Sequence, residues 1–77
     1  MPDVIQGVVY YELWENRSGN LIAEFDTEDE ALRFVRDTVK GGDLAAVLYW
    51  SLHRSDEATP IAYGTALNAL ADKRMPV

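Results

Sequence analysis

Asn16-Arg17-Ser18-Gly19 stands between two runs of strand-forming residues, and this short polar break constrains the chain more than any other feature. Val8 to Glu15 precedes it with Val8, Val9, Tyr10, Tyr11, Leu13 and Trp14, and Leu21 to Asp26 follows it. Asparagine suits the first position of a type I turn. Glycine at the fourth accepts the left-handed backbone that closes such a hairpin. A register follows. Asn16 opposite Asn20 sets Leu13 against Ala23 and Tyr11 against Phe25, an apolar face for the core. The other face then pairs Trp14 with Ile22, Glu12 with Glu24 and Tyr10 with Asp26.

Thr27-Glu28-Asp29-Glu30 reads as a capping box. The threonine hydroxyl accepts from the Glu30 amide, and the Glu30 carboxylate reaches back to the amide of Thr27. Ala31, Leu32, Val35 and Val39 recur at helical spacing with Phe34 beside them, and Gly41-Gly42 ends the helix. Leu44 to His53 is apolar on both alternating faces for much of its length, which predicts a central strand. Arg54 to Thr59 is a polar loop, and Pro60 suits the start of a short strand over Ile61 to Tyr63. Gly64 or Thr65 then caps a second helix that runs to about Lys73-Arg74. Residues 1–7 and 75–77 read as tails.

A constant offset of 39 residues matches Val8 with Val47, Tyr10 with Tyr49, Leu13 with Leu52, Ile22 with Ile61 and Ala23 with Ala62. The order would then be ββα twice over. Amphipathic strands also resemble one another by composition, and the turn and helix sequences do not match. Both explanations stand at this level.

The 77 residues allow one domain with a thin stability margin, and there is no cysteine to staple it. With one histidine and no thiolate, a zinc site is not expected, and no cofactor motif is present. The net charge of −6 repels a phosphate backbone. No apolar run approaches the roughly 20 residues that span a bilayer. Met1 to Gly7 lacks the basic and apolar regions of a signal peptide, so a cytoplasmic protein is expected.

Four groups of side chains carry whatever chemistry the sequence offers. The acids Glu24, Asp26, Glu28, Asp29 and Glu30 lack the alternating pattern and mid-loop glycine of a calcium loop, and helix capping accounts for them. His53 has Ser51 two residues away, with Asp56 and Glu57 following, but no oxyanion-hole motif accompanies them, so no enzyme activity is expected. Arg33, Arg36 and Lys40 form a basic stripe on the first helix and are the best contact for nucleic acid, although Asp29 and Asp37 stand one turn from Arg33. Tyr10, Tyr11, Trp14, Tyr49, Trp50 and Tyr63 are too many aromatics for one small core. Trp14, Ile22 and Tyr10, on the hairpin's outer face, are the candidate interface for a second copy or another protein.

Tyr11-Glu12-Leu13-Trp14, Ser18-Gly19-Asn20-Leu21-Ile22, Phe25, Thr27-Glu28, Glu30-Ala31-Leu32, Pro60-Ile61-Ala62 and Gly64 together cover most of the chain. In these the sequence resembles a group of short uncharacterised bacterial proteins, a resemblance that implies no activity and no functional residue. In layout alone, hairpin then capped helix is similar to small antitoxin domains. The expected fold is α+β, in the order β-β-α-β-β-α, with a four-stranded, mostly antiparallel sheet and two helices on one face. The expected function is a non-enzymatic interaction module that forms a homodimer or binds another protein. The alternative is an antitoxin-like or regulatory domain that contacts nucleic acid or a toxin.

Overall fold

In the computed structural model, residues 8–74 are described. The elements are β1 (Tyr11–Glu15), β2 (Asn20–Phe25), α1 (Glu28–Lys40), α2 (Leu44–Val47), β3 (Trp50–Arg54), β4 (Ala62–Tyr63) and α3 (Thr65–Arg74). The strands form one antiparallel sheet in the order β2-β1-β3-β4, and the helices pack against it. The α+β class and the four-stranded sheet therefore match the sequence reading.

Leu13 on β1 faces Leu52 on β3 at the middle of the sheet, and both are fully buried. Ala31, Leu32 and Val35 of α1 close over them, joined by Leu67 and Ala71 of α3, Val47 of α2 and Trp50. The hairpin opens α1 as expected. The Glu30 amide donates to Thr27 Oγ1 at 3.1 Å, and the Thr27 amide donates to Glu30 Oε1 at 3.2 Å. At the far end Gly41 retains helical backbone, and Gly42, at φ +97°, supplies the left-handed residue.

Three expectations need correction. Ile22 does not oppose Trp14. The pairing runs as read from Tyr11–Phe25 to Leu13–Ala23, then shifts so that Trp14 meets Leu21 and Glu15 meets Asn20. Ile22 is the extra residue of a β-bulge and packs against the core instead of facing outwards. The three consecutive apolar residues Leu21-Ile22-Ala23 are the cause, since strict alternation would leave Ile22 outside.

The predicted strand from Leu44 is the second correction. Leu44–Val47 is a turn of helix, and the strand starts only at Trp50. Asp43 caps it by accepting from the Ala46 amide, and two alanines favour helix over strand. An apolar run of this length is compatible with either periodicity, and a local cap decides. The first strand is also shorter than Val8 to Glu15. It begins at Tyr11, while the Tyr10 amide donates to Ser55 Oγ at 3.0 Å. The predicted tails, 1–7 and 75–77, lie outside the described residues.

The offset of 39 residues has a geometric counterpart. Adding it to Tyr11–Glu15 gives Trp50–Arg54, the bounds of β3. It also carries the Leu13–Ala23 pair onto Leu52–Ala62, so both hairpins share a register up to the bulge. The two ββα units thus meet through β1 and β3 about an approximate twofold at Leu13 and Leu52. The α2 turn links them.

Gly64 joins β4 to α3 at φ +62°, and a β-carbon there would stand 3.1 Å from the Leu48 carbonyl oxygen. Gly42 is also left-handed but has open space around it. Gly64→Ala is expected to cost about 2 kcal/mol, combining backbone strain with displacement of that carbonyl. Gly42→Ala should cost about 1 kcal/mol, from the backbone alone. Urea unfolding of the two variants measures the difference, and equal losses would refute the carbonyl contact.

Candidate functional site

With the helices on one side, strand pairing assigns the residues of the opposite face. One row crosses the sheet as Leu21, Trp14, Ser51 and Tyr63, and a second as Glu24, Glu12 and His53. Leu21 is 42% exposed and Tyr63 60%, while Trp14 is half-buried. The indole Nε1 of Trp14 donates to Glu12 Oε1 at 3.4 Å, which fixes the ring along the strand.

Among the described residues, Ser51 is the one buried polar side chain of this face. Its hydroxyl donates to Asn16 Oδ1 at 2.9 Å and lies 3.0 Å from His53 Nε2. The imidazole tautomer sets which of Ser51 and His53 donates in this contact. The contact anchors the imidazole and the hairpin turn to each other. Among the described residues, no three histidine or carboxylate side chains converge as metal ligands. No described helix is long and apolar enough to cross a membrane.

The hairpin tip is held by charge. Glu15 accepts from the Ser18 hydroxyl at 2.6 Å, the Ser18 amide at 2.7 Å and Arg17 Nε at 2.8 Å. These donors, the Ser18 hydroxyl foremost, lower the Glu15 pKa from 4.5 to about 2. The same contact raises the pKa of Arg17. Its guanidinium lies 4.1 Å above the centre of the Tyr49 ring, and the Asn16 amide donates to the Tyr49 carbonyl at 2.8 Å. The turn is thereby docked on the segment between α2 and β3.

A second feature is a groove of about 850 Å³ beside the start of α1. Tyr10, Phe25 and Phe34 give it an aromatic lining, continued by contact of Phe34 with Phe25 and Trp50 at ring separations of 5.5 and 5.9 Å. Glu24, Asp26, Glu30 and Asp37 also line it, together with Arg33.

The candidate residues consequently separate. Trp14 is on the open face, Ile22 packs against the core, and Tyr10 lines the groove. Leu21 takes the place beside Trp14 that the alternation had given to Ile22, and Tyr63 lies in the same row beyond Ser51. The apolar triplet Leu21-Ile22-Ala23 was the available sign of the bulge. Of the basic stripe, Arg33 stands among the carboxylates of the groove, Arg36 is bonded to Asp72 of α3, and Lys40 is exposed at the end of α1. The acids divide as well. Glu30 closes the cap, while Glu28 and Asp29 bond Arg74 at 2.9 and 3.1 Å and so tie α1 to α3. Compared with protein families, curated proteins and solved structures, the chain finds no match.

The Glu15 contacts make the hairpin sensitive to acid. Because the folded pKa is depressed, their contribution is complete above about pH 4.5 and is lost as the pH falls towards 2. The melting temperature of the wild type should therefore exceed that of Glu15→Gln at neutral pH, and the gap should close across that window. A gap independent of pH would refute the ionic origin of the clamp.

Proposed function

We propose that this protein is a non-enzymatic interaction module that self-associates through the uncovered face of its sheet. One observation carries the reading. The helices cover one face, and the other presents Leu21, Trp14 and Tyr63 in one row, with the small buried Ser51 between Trp14 and Tyr63. Apolar and aromatic side chains aligned on a rigid sheet favour contact with a second surface over contact with water. A second copy is the simplest partner, because an isologous pair lets one row meet its own equivalent. It also relieves the thin stability margin of a cysteine-free domain of this size. Ser51, within the row, and His53, in the adjacent row of the same face, tie the hairpin turn to β3 beside Trp14. The acidic, cysteine-free composition suits a cytoplasmic setting.

Light scattering and sedimentation over a range of concentrations test this. The wild type is expected to be a dimer. Trp14→Ala should weaken the dimer by about 30-fold or more, as removal of a central aromatic anchor does. Leu21→Asp, at an exposed site, should have the same effect with the circular dichroism unchanged. A wild type that stays monomeric at every concentration would overturn the proposal.

A further inference from the structure

The aromatic groove lies at the margin of the core, against which its Phe25 packs, and shares Glu24 with the open face of the sheet. Phe34 is 38% exposed and Tyr10 39%, although Phe34 also stacks inwards on Phe25 and Trp50. Its outer half is apolar surface left to water on an otherwise charged helix. Charge defines what suits it. Four carboxylates line the groove against one guanidinium, a local balance of −3. Glu30 is engaged in the cap, whereas Glu24, Asp26 and Asp37 form no ion pair among the described residues. Arg33 stands one helical turn from Asp37, close enough to be offset by it.

We infer that this groove docks a cationic amphipathic segment of a partner protein. An apolar side chain of that segment seats against Phe34 and Phe25, and its flanking lysine or arginine side chains meet Glu24, Asp26 and Asp37. The aromatic faces add to the attraction, since a cation over such a ring is stabilised by its quadrupole. A phosphate-bearing ligand is repelled by the same carboxylates. Apart from Glu24, which the sheet face shares, this surface is distinct from the row of Trp14. With Asp26 and Asp37 on the groove side, the inference stands whether or not the sheet face forms a dimer.

The probe is a short fluorescein-labelled peptide of alternating lysine and leucine, followed by anisotropy against the full chain. Binding is expected, and it should weaken as salt screens the rim. Phe34→Ala should reduce affinity about tenfold, as loss of an interface aromatic does. Because Phe34 also touches buried Trp50, Asp26→Asn combined with Asp37→Asn serves as a second variant at exposed sites, with a loss of about tenfold expected for two removed charges. Asp56→Asn with Glu57→Gln, in the β3–β4 loop, should leave affinity unchanged. Absence of binding would overturn the inference, as would equal loss in the loop variant, which signals attraction to net charge alone. Tighter binding by Val4→Ser with Ile5→Ser would assign the groove to the chain's own leading residues. Self-association that weakens in Phe34→Ala would assign it to a second copy. Either result overturns the docking of a partner segment.

Discussion

Leu13 against Leu52 is the contact on which the rest of the structure depends. These two side chains lie at the centre of the sheet, on the strands that join the two hairpins, and both are buried without remainder. Each brings its own helix. Leu32 and Val35 of α1 and Leu67 and Ala71 of α3 converge on the same cluster. A core this small has no second layer to absorb a defect, and a leucine truncated to alanine in such a site removes several contacts at once. The equivalent register of the two hairpins has a simple consequence. Each half supplies one leucine to the pair, so neither half has a complete core of its own.

The bulge at Ile22 shows how that core overrides local pattern. A hairpin with an uninterrupted register would place Ile22 beside Trp14 on the open face. One extra residue in β2 instead turns Ile22 inwards and leaves Leu21 as the neighbour of Trp14. The open face still carries an apolar residue at that position, but a different one. The same economy governs the helix ends. Glu28, Asp29 and Glu30 are adjacent in sequence and alike in charge, yet two of them bond Arg74 and one closes the cap. Exposed pairs of this kind contribute little each. Their value here is positional, since they set α1 against α3.

Legibility followed the range of the interactions. The capping box and the inner register are legible in Thr27, Glu30 and the alternation around Leu13, and Gly19 marks the left-handed residue of the turn. The turn, however, closes with Glu15 opposite Asn20 and not with Asn16 as expected. The α2 turn was missed because Leu44 to Leu52 is apolar in both periodicities, and only the cap at Asp43 separates them. The bulge was missed because it satisfies the core, not the hairpin. The groove was harder still. Tyr10, Phe25 and Phe34 are separated along the chain and come together only when β2 passes into α1 beside the segment before β1. For Arg36 the helix offers no acid one turn away, and its observed partner, Asp72, is on the other helix.

The edges of the sheet bear on how a second copy can approach. An exposed edge strand is a template for pairing, and two features limit it here. β2 carries the bulge, which interrupts the regular spacing of its outer amides, together with the charge of Glu24. β4 has only two residues and follows Pro60 closely, so it offers almost no ladder to extend. Addition of strands edge to edge is thus disfavoured on both sides. The helical side is already occupied by α1 and α3. What is left is the broad face bearing Leu21, Trp14 and Tyr63, where contact depends on side chains and needs no free backbone groups. Self-association through that face would also be closed, because a pair of sheets facing each other about a twofold leaves no equivalent surface for a third copy.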